Sequence, residues 1–174
     1  MSAAVLSCPV PPESAINEHL PGAYFHDCYG IEVAGAPRSA LGYFLAAVAA
    51  TPGWVNALMA VRNKLVRLVG LKDLGHLGDF DPGKPASAYA PGDRIGIFTL
   101  LADSDTETLM GIRDKHLDVL LSVCKRSAAR GERTPIAVTT VVHVHNLLGR
   151  LYMLPVTPMH KVIAPTVVAR MVEA

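Results

Sequence analysis

The chain has 174 residues, 51% hydrophobic and 18% charged, and 16 Lys+Arg against 15 Asp+Glu leave a formal net charge of +1. A chain of that length and apolar content is expected to fold as one domain around a sizeable core, which excludes a disordered tail. The near-neutral balance excludes a basic groove for nucleic acid, because phosphate neutralisation needs a clustered positive field.

In chain order, Met1 to Gly22 carries Pro9, Pro11, Pro12 and Pro21 and one short helical stretch, Ser14 to Leu20, with Ser14 as its N-cap. It is expected to be a lead-in to a single domain over 23–174. The start lacks a positive n-region and its apolar stretch is too short for a signal, so an untargeted, cytoplasmic protein is expected. The 3 cysteines, Cys8, Cys28 and Cys124, form no C-x-x-C pair, and neither a disulfide framework nor a cysteine zinc site is indicated. From Tyr24 to Val33, Phe25, Tyr29, Ile31 and Val33 alternate with His26, Cys28 and Glu32, which reads as a half-buried strand disturbed at Asp27. Ser39 opens a helix over Ala40 to Ala50. A second helix starts with Thr51 as N-cap and Pro52 at the first helical position, where its missing N–H costs nothing. Its spacing puts Trp54, Leu58, Val61, Leu65 and Leu68 on one apolar face that ends at Gly70. Trp54 is expected in the core. Arg62, Lys64, Arg67 and Lys72 are expected on the solvated side, with a weak contact to anionic lipid or an acidic partner as the alternative. The uncharged run that feeds this helix is interrupted by Pro52-Gly53, so no membrane span is expected.

Asp73 to Asp93 has neither helical nor strand period and reads as a loop that is functional, mobile or concealing a short strand. A meander follows, with strands Arg94 to Leu101, Thr106 to Arg113, Leu117 to Arg126 and Ile136 to His145 joined by turn residues. Asn146 then caps a long helix, Leu147 to about Val172. Pro155, Pro158 and Pro165 each remove a backbone donor, so a kink or break is expected near Pro155 to Pro158. His160-Lys161 is expected on a solvated edge.

The fold class expected is α+β: a curved antiparallel sheet packed on a long C-terminal helix, with two helices inserted after the first strand. The segments TPGWVNALMAVRNKLVRLVGLK, GDRIGIF, DKHLDVLLSV and TTVVHVHNLLGRLYMLPVTPMHKVIAP resemble a bacterial domain-of-unknown-function family, number 2867, from about Pro21 onwards. The resemblance implies a START-like, birch-pollen-allergen-like helix-grip fold with a cavity between sheet and helix, where relatives hold lipids, sterols, polyketides or hormones. It also brings fusions behind NAD-binding domains, although no G-x-G-x-x-G turn is present here. The family carries no established catalytic residues, and no cofactor is implied.

A polar cluster follows from register. Matching the apolar faces of the last two strands puts Leu117 opposite Val144, His116 opposite His145 and Asp118 opposite His143. Four readings stand side by side: a divalent metal site of His116, Asp118, His143 and His145; a general base His143 oriented by Asp118; a solvent-facing polar sheet; or, since Leu120 and Val141 share the face, a patch covered by a second subunit. His26, Phe98, Arg150 and Tyr152 are candidate ligand contacts in the cavity. Three functions follow: a binding module for a small apolar or amphipathic molecule, which is preferred; an enzyme of the cyclase, isomerase or hydrolase kind; and an accessory or oligomerisation domain of an NAD-dependent oxidoreductase; separately, an apolar surface and few charges favour a homodimer.

Overall fold

In the computed structural model, which describes residues 4–68, 79–126 and 133–172, a seven-stranded antiparallel sheet runs in the order β1-β2-β7-β6-β5-β4-β3. The strands are β1 Leu6–Ser7, β2 Phe25–Ala34, β3 Arg94–Ile95, β4 Phe98–Asp103, β5 Glu107–Arg113, β6 Leu117–Lys125 and β7 Arg133–Val144. Helices α1 Ala40–Ala49 and α2 Gly53–Leu68 follow β2, and the chain closes with α3 Leu147–Ala169 and a 3-10 turn, Arg170–Val172. The fold class is the expected one.

Period two decides which residues of the sheet face the helices. Phe25, Ile31 and Val33 of β2, Met110 of β5, Leu121 and Val123 of β6, and Ile136, Val138 and Val142 of β7 share the inner face. There Leu41, Phe44, Leu45 and Val48 of α1 and Val168 and Met171 beyond them complete the main core. Ser39 caps α1 by accepting from the Gly42 amide at 3.1 Å.

Several local expectations change. The expected strand Arg94 to Leu101 is a hairpin, because Gly96 takes φ +58° between the paired Ile95 and Phe98. Thr51 does not cap α2: its hydroxyl donates back to Ala47 O at 3.2 Å, and the first α2 amides, Val55 and Asn56, bond to Pro52 O. The inward face of α2 carries Val55, Leu58, Met59 and Arg62, whereas Trp54 is 44% and Val61 56% exposed. The helix is turned by about one residue from the expected face. Gly70, Arg67, Lys72, most of the first half of the Asp73 to Asp93 loop and the Arg130-Gly131 loop lie outside the described residues or side chains. Helix α3 runs unbroken through Pro155, Pro158 and Pro165. Among the described residues no single helix is long and apolar enough to cross a membrane, and α1 and α2 meet at 88°.

The outer face of the sheet is covered from within the chain. Residues ahead of β2 fold across it: a 3-10 helix, Ala15–His19, buries Ile16 completely, and Val141, Ser122 and Thr139 beneath are 0–1% exposed. Glu107 fastens this segment, accepting from the hydroxyls of Ser14 and Ser122 (2.6 Å for the latter) and from the Ala15 amide at 2.9 Å.

Candidate functional site

The β6–β7 hairpin adopts the register read from the sequence, with Leu117 opposite Val144 and Asp118 opposite His143; the His145 amide bonds to His116 O at 2.9 Å. All four cluster residues lie on the outer face, yet they do not converge. His143 Nε2 meets the carbonyl of His19 at 2.8 Å, His145 Nε2 lies 3.3 Å from Asp118 Oδ2, and His116 Nδ1 pairs with the Asn146 side-chain amide at 2.9 Å. Asn146 in turn caps α3, accepting from the Gly149 amide at 3.1 Å. These histidines therefore join the hairpin to the lead-in and to the start of α3. Among the described residues no group of three or more His, Cys, Asp or Glu side chains is placed to hold a metal ion. Val141, the apolar residue beside the cluster, is sealed by this chain's own N-terminal segment.

On the inner face the picture differs. Sheet, α2 and α3 line a partly open cavity of about 260 Å3. Its wall is mostly apolar: Phe25, Val119, Leu121, Val138 and Val142 from the sheet, Val55, Leu58 and Met59 from α2, and Met153, Val156, Met159 and Val167 from α3. Two candidates from the sequence, Phe98 and Tyr152, line it; His26 and Arg150 are exposed and do not.

Few polar side chains interrupt this wall. Arg62, expected on the solvated side of α2, turns inward and donates from Nε to the Tyr152 hydroxyl at 2.8 Å, and its guanidinium carbon lies 5.3 Å from that ring's centroid. The contact ties α2 to α3 at one end of the cavity. His160 is the second inward group and corrects the expected solvated edge. The spacing Met153, Val156, His160, Ile163, Val167 follows the helical stripe facing the sheet, and that stripe carries the imidazole inward with it.

Its partner is Asp27. Counting by two along β2 from Phe25 to Tyr29 places Asp27 on the inner face, opposite Thr140 of β7. His160 Nε2 donates to Asp27 Oδ1 at 3.1 Å; Oδ2 is equally near but is buried without a hydrogen bond of its own. The side chains are 24% and 14% exposed, and the Phe25 ring packs edge-on against the imidazole at 5.6 Å. Burial, and then the charge of Asp27, raise the Tyr29 phenol above its ordinary value, which keeps it protonated in the same wall. The sequence carried both signals: Asp27 as the disturbed position of an apolar alternation, and His160 on an apolar stripe. Neither shows that two residues 133 apart meet.

Fold and cavity together define the class: an α+β protein whose sheet and helices line a mostly apolar, partly open cavity, with His160 in its wall and Asp27 behind it. The chain belongs to the protein family of unknown function DUF2867, whose model matches residues 19–167. No curated protein matches it.

Proposed function

We propose that the protein is a binding module that encloses a small apolar or amphipathic molecule between the sheet and α3. The observation that carries this reading is the cavity of about 260 Å3, walled by aliphatic and aromatic side chains with a few placed polar groups. Such walls are the ordinary composition of small-molecule sites. A well-packed interior leaves few voids larger than a water, and an apolar cavity of about 150 Å3 already accepts a benzene-sized molecule. The space here suits a molecule of one or two rings or a short branched chain. The START-like resemblance supports the same reading, since sheet and terminal helix are the walls of the cavity in that fold.

The test uses the methionines in the wall. Met59, Met153, Met159 and Met171 all face the cavity, so 13C-methyl resonances report occupancy directly. Titration with 2-methylnaphthalene is expected to shift them saturably, and native mass spectrometry of protein from its own cell is expected to show a small-molecule adduct. Methyl resonances that stay in place together with a bare mass overturn the reading.

A further inference from the structure

We propose that the enclosed molecule is an apolar alcohol or phenol whose hydroxyl donates to Nδ1 of His160, with Asp27 as the positioning residue that fixes the ring's tautomer. This deepens the binding reading above and rests on it. A carboxylate only accepts hydrogen bonds, so the nitrogen facing Asp27, Nε2, carries the proton. In the neutral ring Nδ1 then holds a lone pair and offers an acceptor, not a donor. Among the described residues Nδ1 has no hydrogen-bond partner, while the ring itself stands in the cavity wall.

The rest of the site favours a donor as well. Asp27 sits behind the imidazole, and the edge-on Phe25 ring holds the plane of His160, so the direction of the free lone pair is set before a ligand arrives. Arg62 is engaged with Tyr152 and with Asn63 Oδ1 at 2.8 Å. Tyr152 precedes His160 by eight residues, about 12 Å along the helix, so the guanidinium does not serve the same ligand atom. An ammonium ligand carries its charge into an apolar space at high cost, whereas a hydroxyl loses only hydration that one good acceptor restores. Asp27 and His160 cost stability compared with well-packed hydrophobic residues, in a wall whose other ionisable side chains are Arg62, Asp114, Tyr29 and Tyr152.

The test compares 2-naphthol with 2-methylnaphthalene, of similar shape but more hydrophobic, at about pH 8, above the ordinary imidazole range. The wild-type protein is expected to bind 2-naphthol roughly five- to tenfold more tightly, the worth of one net hydrogen bond, against the hydrophobic trend. The double variant D27L/H160L removes both polar side chains together and so leaves neither partner stranded. It is expected to keep 2-methylnaphthalene and to lose the preference for 2-naphthol. In D27N the amide serves either tautomer, so with the two about equally populated the preference falls by roughly half. The 15N shifts of His160, which report an unprotonated Nδ1 in the wild type, become those of a mixture. A merely structural pair leaves that tautomer-linked preference untouched. Equal or tighter binding of 2-methylnaphthalene by the wild type, or a preference surviving in D27L/H160L, overturns the proposal and leaves the binding reading intact. If neither naphthalene binds, the proposal is overturned, and the binding reading falls with it when the native mass is also bare.

Discussion

Replacing Gly149 by alanine tests how α3 is seated on the sheet, and helix propensity predicts the opposite result. Gly149 lies in the first turn of α3, and its amide donates to the Asn146 cap. A Cβ at this position stands 2.3 Å from His116 O, 2.9 Å from Val144 Cγ1 and 3.2 Å from the His116 carbonyl carbon. The nearest atom is backbone in the turn before β6 and cannot rotate away, so the helix end must retreat by about 1 Å for ordinary contact. In an open helix, Gly→Ala gains about 1 kcal/mol. Overpacking of this kind costs about 1–3 kcal/mol, and a collision with backbone belongs at the upper end. G149A is therefore expected to lose about 1–2 kcal/mol net, read as a lower urea midpoint at unchanged slope. Gly53 at the start of α2 is the control: a Cβ there meets nothing within 4 Å and φ is not positive, so G53A is expected to be neutral or stabilising. Because α3 is a wall of the cavity, G149A should also weaken 2-methylnaphthalene binding. A G149A protein as stable as the wild type refutes the close seating of α3 on the hairpin.

Three further outcomes follow from the same packing. Burial pushes the Cys28 thiol from 9.0 up to about 12 and the Cys124 thiol up to about 11, so the folded chain keeps protons that the unfolded chain releases above about pH 9. Stability attributable to these groups is level below pH 9 and falls above it by about 1.4 kcal/mol per pH unit per thiol until each folded value is reached; urea midpoints at pH 8, 9 and 10 should show a shallower decline in C28A/C124A, and an unchanged slope rejects the assignment. E107A strips three donors of their carboxylate and leaves the buried Ser14 and Ser122 hydroxyls only their long contact with each other at 3.4 Å, a loss of about 2–5 kcal/mol; amide exchange over Ala15–His19 should accelerate with it, and protection equal to the wild type contradicts the clasp. V142F fills the cavity from the sheet side and should abolish the 2-methylnaphthalene shifts of Met153 and Met159 while the protein still unfolds cooperatively; undiminished binding moves the ligand elsewhere.

What the sequence discloses divides along physical lines. Local signals carried strands β2, β5, β6 and β7, α1, the Asn146 cap and the β6–β7 register, because each depends on period two, on a capping side chain or on a turn, all short-range in the chain. Of the kink or break expected from the prolines of α3, the break does not occur. A missing donor predicts a break only where nothing else holds the helix, and here Met153, Val156 and Val167 press one face against the sheet on both sides of Pro155 and Pro158. The phase of α2 failed for a related reason: apolar spacing alone admits two neighbouring faces, and contact with α3 through Arg62 and Tyr152 selects the one that leaves Trp54 outside.

The site shows the same division in its sharpest form. The histidines most visible in the sequence, His116, His143 and His145, are clustered by register yet spent on a backbone carbonyl, a cap and a surface carboxylate. His160 in the cavity wall and Asp27 behind it were visible only as two separate irregularities, an imidazole on an apolar stripe and a charge inside an apolar alternation. Each alone reads as an exposed polar residue, because burying an unpaired charge is too costly to expect. Together each removes the other's objection: the carboxylate receives its donor, and the imidazole acquires a fixed tautomer. A polar residue at the apolar phase of a strand, set against a polar residue at the apolar phase of the helix that covers it, is therefore stronger evidence for an internal site than a denser cluster on a face whose partners lie nearby in the chain.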